Sequence, residues 1–293
     1  MKISTSTGEM LKYYGDEEGI RHLAKAGFDC LDFGMFYAEN DWRFQLSDEE
    51  FKTYYLHLKE IMDANDISVG QVHSPMVNYL YTGDETEGDL YFDLQVKAIR
   101  AAAYLKSPYI VIHPVIPPQY RYSFYREETR EINMKYYGKL KKYLNSYGIK
   151  VGIENMWNWD PEKNCICPTV CSTPEEMCDY IDAIGSDTAV ACLDFGHALL
   201  TGDTPQHMIN ILGSRLESVH IHDNNGAEDS HLAPFMGIID WKSTCEALKT
   251  NQYQGSFNFE ADSFNCMFGK ELADAAAEML CKIGRSLAAQ YDL

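Results

Sequence analysis

The sequence predicts an α/β protein folded as a single (β/α)8 barrel, the architecture also called a TIM barrel. The chain has 293 residues, and this fold usually takes roughly 250. Short β-branched or aromatic runs alternate with longer amphipathic segments, as in a parallel sheet wrapped by helices. No Gly/Ser tract, proline-rich run or block of like charge divides the sequence, so we expect one domain over residues 1–293.

Eight runs have the composition of strands. Several are nearly continuous apolar runs that end in a polar residue, which is expected of strands buried on both faces. A doubly wound open sheet shares the alternation but usually has five or six strands, so the number of runs favours the barrel. The predicted strands are residues 2–5, 28–33, 68–73, 109–113, 150–154, 189–194, 218–222 and 257–260.

Helices between these strands are marked by capping residues. Residues 47–50 read Ser-Asp-Glu-Glu, and residues 172–176 and 203–205 place a hydroxyl or carboxylate before a proline in the first turn. Gly27 and Gly148, just before the second and fifth strands, fit helix ends because glycine readily adopts the left-handed conformation found there.

Six of the predicted strands end in a polar residue, and the spacing of these residues is nearly constant. Successive separations are 40, 41, 40, 26 and 40 residues, each suited to one strand–helix unit. Because the carboxyl ends of barrel strands open onto one face, we expect the six side chains to converge there. They are His73, His113, Glu154, Asp194, His220 and Glu260.

The last four of these residues predict a divalent metal site. Three carboxylates and one imidazole suit Mn2+, Mg2+, Co2+ or Zn2+, whereas metals that prefer thiolates fit badly. Burying the carboxylates without a cation would cost several kcal/mol each, so a purely structural role is hard to explain. The predicted ligands are Glu154, Asp194, His220 and Glu260.

Further polar and aromatic residues lie near the same strand ends. The polar ones could hold a second or third ion, or bind the hydroxyls of a polar substrate. Tyr37 and Trp157, in the predicted loops after the second and fifth strands, could stack on the C–H face of a sugar. The polar residues are His73, His113, His197, Asp229 and His231.

Composition limits the remaining function classes. The formal net charge of −19 argues against a basic nucleic-acid-binding module. No run reaches the ~18 apolar residues of a membrane helix, and the amino terminus lacks the apolar core of a signal peptide, so we expect a cytoplasmic protein without a membrane partner. The 9 cysteines are expected to be reduced thiols, and Cys165, Cys167 and Cys171 lack the spacing of a paired CxxC site.

The chain resembles the xylose isomerase-like TIM-barrel superfamily, which contains sugar phosphate isomerases and epimerases and endonuclease IV. The resemblance rests on the segments VHSP, VIHP, VGIEN, LDFGH, VHIHDNNGAEDSHLAPFMGIIDW and FNFEAD, which span residues 72–262. In the epimerases, the positions of the four predicted ligands bind one divalent metal, and the two matching Glu154 and Glu260 act as acid and base. In endonuclease IV, three zinc ions also use the positions of His73, His113, His197, Asp229 and His231.

This resemblance implies a divalent-metal-dependent sugar or sugar phosphate isomerase or epimerase, which transfers a proton through a metal-stabilised enediolate. The implied cofactor is one to three ions, with Zn2+ or Mn2+ favoured over Mg2+ or Co2+. The implied partner is a small carbohydrate-like substrate. Whether the chain also forms a homodimer is left open by the resemblance. Ketose 3-epimerases carry an arginine soon after the seventh-strand histidine, which is absent here, so a ketohexose 3-epimerase is disfavoured.

The alternative is a zinc-dependent, endonuclease IV-like phosphodiesterase acting on abasic DNA. Phosphate contacts dominate DNA affinity, and basic residues are scarce in the loops after the first strands. Apart from Arg43 and the stretch around Arg121 and Arg126, these loops offer few cations. The charge distribution therefore favours the isomerase.

Overall fold

Eight parallel strands form a nearly closed barrel in the computed structural model, which describes residues 1–35, 41–76, 85–116 and 121–293. The predicted (β/α)8 architecture is thus confirmed. The barrel strands are β1 (Ile3–Ser6), β2 (Cys30–Gly34), β3 (Ser68–His73), β4 (Tyr109–Val111), β5 (Lys150–Glu154), β8 (Ala189–Asp194), β9 (Leu216–His220) and β10 (Phe257–Phe259), and β6 (Trp157–Asp160) and β7 (Cys165–Pro168) form a separate antiparallel pair.

The barrel closes between its last two strands just beyond the end of β9. The neighbours around the barrel are β10-β1-β2-β3-β4-β5-β8-β9. The amide of Ile221 donates to the carbonyl of Asn258 at 2.8 Å, and the amide of Glu260 donates to the carbonyl of Ile221 at 3.1 Å. These two bonds bring the ends of β9 and β10, and the polar residues there, side by side.

Helices follow the barrel strands and cover the outside of the barrel. Each connection from one strand to the next therefore returns the chain to the amino-terminal end of the barrel and leaves the carboxyl ends of the strands on the other face. The helices are α1 (Gly8–Tyr14), α2 (Asp16–Ala26), α3 (Asp48–Ala64), α4 (Glu85–Tyr104), α5 (Arg126–Tyr147), α6 (Pro174–Ile184), α7 (Phe195–Leu200), α8 (Pro205–Leu212), α9 (Trp241–Thr250), α10 (Asp262–Met267) and α11 (Ala273–Tyr291).

Local sequence explains where several of these helices begin and end. Ser47 and Glu50 form a reciprocal capping box at the start of α3, and the Thr173 hydroxyl accepts from the amide of Glu176 at the start of α6. Such a cap typically contributes about 1 kcal/mol. Gly27 and Gly148 follow α2 and α5 with φ of 101° and 66°, the left-handed conformation predicted for them.

Strands buried on both faces account for the apolar runs in the sequence. Every residue of β1, β8 and β10 is buried. The helices lie close to the sheet: a Cβ on Gly284 of α11 would be 2.6 Å from Cε2 of Phe259, so glycine is needed at this contact. This packing fixes the barrel and thereby the positions of the polar strand ends.

The structure corrects three details of the prediction. Residues 157–171 were expected to form a loop, but β6 and β7 pair around a turn in which Asp160 Oδ1 accepts from the amides of Glu162 and Lys163. β4 ends at Val111 and β9 at His220, two residues before the predicted ends. β2 begins two residues later than predicted.

No helix among the described residues is long and apolar enough to cross a membrane.

Candidate active site

The four predicted ligands meet at the carboxyl ends of the barrel strands. Glu154, Asp194 and His220 are the last residues of β5, β8 and β9, and Glu260 directly follows β10. One potential ligand atom from each lies within 4.8 Å of those of the other three. All four are buried, and Glu260 is the most exposed of them at 8%. We call these four residues the central group.

His220 lies between the two glutamates of the central group. Its Nδ1 is 3.3 Å from Glu154 Oε1, 2.9 Å from Glu260 Oε2 and 4.0 Å from Asp194 Oδ2. His220 Nδ1, Glu154 Oε2 and Glu260 Oε2 are buried and make no hydrogen bond within the described part of the chain. Buried acceptors left without hydrogen bonds are costly, so the group fits a divalent cation.

A second potential metal group shares Glu154 with the central one. Its members are His73, His113 and Glu154. Glu154 Oε2 is 2.9 Å from His113 Nε2 and 3.5 Å from His73 Nε2. Because the other oxygen of Glu154 faces His220, this carboxylate can serve both groups.

A third group, called the outer group here, consists of His197, His222, Asp229 and His231. The Nε2 atoms of His197 and His231 are each 3.4 Å from an oxygen of Asp229. The indole N–H of Trp157 donates to Asp229 Oδ2 at 3.0 Å, so this predicted substrate contact is also a partner of the outer group. Tyr37 lies outside the described residues.

Hydrogen bonds to the remaining ring nitrogens orient several of these histidines. Nδ1 of His197 is 2.8 Å from the carbonyl of Asn155, and Nδ1 of His231 is 2.8 Å from the carbonyl of Glu260. A carbonyl can only accept, so each Nδ1 carries the proton and each Nε2 is available as a ligand. Protein groups that fix the tautomer in this way are typical of metal-binding histidines.

The electrostatics of the cation-free site reflect close pairing of imidazoles and carboxylates. Burial alone would raise the pKa of Glu154 and Glu260, but the charge of His220 holds the pKa of both below the usual range. Burial would lower the pKa of His220, yet its contacts with Cys192, Glu154 and Glu260 raise it well above the usual value. The carboxylates are therefore ionised at neutral pH.

All nine predicted polar residues lie in these three groups, but sequence reasoning missed others. His222 follows His220 by two residues, a spacing that should have placed it on the same face. Asp32 in β2 accepts from Gln71 Nε2 at 2.7 Å and contacts His73 Nδ1 at 3.1 Å. Gln71 Nε2 also contacts His220 Nε2 at 2.7 Å, so Asp32 and Gln71 hold ligand histidines of two groups. The position of Asp32, next to the last residue of the second predicted strand, was the available signal for it.

With fold and site described, comparison with known proteins is informative. A family model described as xylose isomerase-like TIM barrel matches residues 20–283. The chain belongs to this family. Its resemblance to the family in sequence is thus confirmed.

Similar proteins of known sequence or structure match most of the chain. The uncharacterized protein MJ1311 of Methanocaldococcus jannaschii is 29% identical over 217 residues, which cover 71% of each chain. The crystal structure of a D-tagatose 3-epimerase-like protein is 23% identical, with a TM-score of 0.76 and coverage of 100% of this chain and 98% of that one. That of D-psicose 3-epimerase with D-fructose is 16% identical, with a TM-score of 0.72 and coverage of 98% and 99%. At these identities the two structures show a shared fold.

Proposed function

We propose that this protein is a divalent-metal-dependent isomerase or epimerase acting on a sugar or sugar phosphate. The observation that carries the proposal is the pair of buried glutamates, Glu154 and Glu260, which come from non-adjacent strands and contact the same ring nitrogen of His220. Two carboxylates around one binding position suit the removal and return of a proton. The names of the two solved structures, both epimerases or epimerase-like proteins, support the same class.

In this proposal the two glutamates exchange a proton with carbon. Both are ionised at neutral pH, which is the form that can remove a proton from a carbon beside a carbonyl group. Return of a proton to the other face of that carbon gives epimerisation, and return to the neighbouring carbon gives aldose–ketose isomerisation. Trp157, whose ring centroid is 6.4 Å from that of His197, is proposed to contact the sugar ring.

The central group would hold the cation, with Zn2+ or Mn2+ favoured and Mg2+ or Co2+ also compatible with its oxygen and nitrogen donors. A divalent ion there would supply Lewis-acid polarisation of the substrate carbonyl. His113 and His73 contact the second carboxylate oxygen of Glu154, Oε2, and would hold its carboxylate in place.

Proton exchange with solvent tests the proposal directly. Full-length protein loaded with Mn2+, Mg2+ or Zn2+ is incubated in D2O with a panel of ketoses, aldoses and their phosphates, and deuterium uptake at carbon is followed by NMR. We expect uptake on at least one sugar, and a loss of about 100-fold or more in Glu154→Gln and Glu260→Gln. Glu246→Gln, an exposed glutamate on α9, is the matched control and should retain the rate. Absence of exchange on every sugar would reject the proposal.

A second candidate is a zinc-dependent phosphodiesterase acting on abasic DNA, as in endonuclease IV. The observation in its favour is that the central, second and outer groups bring together all the positions that match the three zinc sites of endonuclease IV. Against it, the three arginines near the predicted loops already contact carboxylates: Arg43 with Asp16 and Asp41, Arg121 with Glu162, and Arg126 with Glu176. Cations already paired in this way are poorly placed to neutralise DNA phosphates.

Cleavage of a duplex oligonucleotide with one abasic site discriminates between the two functions. The zinc-loaded protein should leave this duplex intact over a range of salt concentrations if it is an isomerase. Incision at the abasic site, together with no deuterium exchange on any sugar, would establish the phosphodiesterase instead.

A further inference from the structure

We propose that His222 is a positioning residue, whose ring N–H holds the Asp194 carboxylate in the orientation that binds the ion of the central group. Neither the resemblance to the family nor the sequence pattern gave His222 a function. The inference rests on the proposed function in one respect, that the central group binds a divalent ion. It adds a residue outside the four central ligands that sets how tightly they bind this ion.

The first argument is the contact between His222 and Asp194. His222 Nε2 is 3.0 Å from each oxygen of Asp194, and 3.8 Å from Asp229 Oδ1. Because a carboxylate accepts hydrogen bonds, Nε2 carries the proton and donates it to Asp194. His222 and Asp194 are both fully buried, so bulk water does not compete for this hydrogen bond.

The second argument is that the His222 ring is not placed to bind an ion together with His231. The two rings stack with their centroids 4.1 Å apart and their planes within 9°. Parallel rings in this arrangement do not direct their nitrogens at one ion. His222 Nδ1 is buried and makes no hydrogen bond to any of the described residues. The chemistry of this ring is therefore its donation to Asp194.

The third argument is the way in which the ring is held in place. Ile221, just before His222, forms a bridge to the end of β10. Asp223, just after it, pairs with Leu232 through both its amide and its carbonyl, at 2.8 and 3.0 Å. Gly196 lies against the ring, and a Cβ there would be only 1.9 Å from His222 Cε1. With the backbone bonded on both sides and the ring packed in this way, its N–H stays directed at Asp194.

This N–H fixes the plane of the Asp194 carboxylate. Asp194 Oδ1 also accepts from the amide of His197 at 2.6 Å, and Oδ2 lies 4.0 Å from His220 Nδ1. By itself, the bond to the amide leaves the carboxylate free to turn about its Cβ–Cγ bond. A donor that lies 3.0 Å from both oxygens prevents this rotation and so directs the remaining lone pair at the central ion. Loss of the donor should therefore weaken binding of that ion.

Binding of Mn2+ tests the role of His222 without reference to activity. The full-length protein is stripped with a chelator and titrated with Mn2+, and bound ion is followed by electron paramagnetic resonance. The ion that is lost in Glu260→Gln is assigned to the central group. We expect His222→Met to weaken this ion by about 10- to 100-fold, the range typical of residues that support a ligand.

The matched variant His222→Gln separates the hydrogen bond from the filling of space. Glutamine and methionine have similar lengths, but only glutamine carries an N–H that can donate to Asp194 in place of the ring. His222→Gln should therefore bind the central ion about 10-fold more tightly than His222→Met. His207→Met, at an exposed histidine on α8, should bind Mn2+ as the unmodified protein does.

Circular dichroism confirms that each variant is folded. If His222→Met does not fold, Gly196→Ala gives the same test, because its Cβ displaces the ring and should weaken the central ion. The inference is overturned if a folded His222→Met binds the ion as the unmodified protein does, or if His222→Met and His222→Gln weaken it equally. If the unmodified protein holds no Mn2+ that is sensitive to Glu260→Gln, the metal site of the proposed function is rejected, and this inference with it.

Discussion

Paired charges at individual residues make the candidate site dependent on pH. Asp229 and Glu260 raise the pKa of His231 to about 10 against the effect of burial, and Asp32 raises that of His73 to about 9. In the cation-free protein both imidazoles are therefore protonated at neutral pH. A metal ligand must be neutral at the coordinating nitrogen, so metal and protons compete for these residues.

This competition predicts that the melting temperature depends less on pH in the zinc-loaded protein than in the chelator-treated protein. A raised pKa in the folded state stabilises the fold fully below the unfolded value of about 6.5, and the contribution is lost as the pH rises through about 9 to 10. The melting temperature of chelator-treated protein should therefore fall between pH 7 and 10. The zinc-loaded protein should lose less, because metal replaces the protons. Parallel decreases in both forms, measured by calorimetry, would contradict this account.

At the scale of the element, the start of α7 connects backbone conformation with the site. The side chain of Asp194 accepts from the amide of His197 at 2.6 Å and thereby caps the helix. His197 itself lies in the first turn of this helix. Gly196 lies between them and leaves the space that His222 occupies. Residues 194–197 therefore hold Asp194 of the central group and His197 of the outer group within a single helical turn.

Substitution of Gly196 by alanine should disturb this arrangement. Its Cβ would lie 1.9 Å from His222 Cε1, so the imidazole and its contact with Asp194 must move, at an expected cost of about 1–3 kcal/mol in the free energy of unfolding. Gly138→Ala in α5 is the matched control, because nothing lies within 4 Å of its Cβ position, and it should stabilise by about 0.5–1 kcal/mol. Urea denaturation measures both effects. Equal stabilities of Gly196→Ala and the unmodified protein would show that the ring need not be held there.

The elements that sequence could predict are those with a strong local signal. The strand ending at Glu154 and the helix capped by Ser47 follow from an apolar run and a capping box, which act within a few residues. The pair β6 and β7 gave only a weak signal. Trp157 to Asp160 alternates between aromatic and polar side chains but is four residues long, and Cys165 to Pro168 does not alternate and ends in proline. Their pairing depends on the turn between them and on contacts made by the rest of the fold.

At the scale of the whole molecule, the barrel brings together residues that are far apart in sequence. His73 and Glu260 lie 187 residues apart, yet the charge of His73 acts on the pKa of Glu260. The near-constant spacing of strand ends made this convergence predictable once the fold class was assigned. The role of Asp32 was not predictable in the same way, because it acts through hydrogen bonds to His73 and Gln71 that depend on side-chain directions across neighbouring strands.

The convergence also predicts that metal binding stabilises the whole barrel. The central and second groups draw on the ends of six of the eight barrel strands, so global unfolding must separate the ligands. An ion that binds only the folded state adds RT ln(1 + [ion]/Kd), about 2.7 kcal/mol at 100 times Kd. For a chain of this size, the corresponding rise in melting temperature is roughly 4–5 °C, and it should increase with the logarithm of ion concentration.

Three variants distinguish stabilisation by an ion bound at the barrel centre from nonspecific effects of the ion. Glu154→Gln removes the carboxylate that the central and second groups share and should abolish most of the concentration-dependent rise. Asp194→Asn removes a ligand of the central group alone and should reduce the rise only in part. The exposed substitution Glu246→Gln leaves all three groups intact and should melt as the unmodified protein does at every ion concentration. An equal rise in Glu154→Gln and Glu246→Gln would show that the stabilising ion binds neither in the central nor in the second group, because both groups include Glu154.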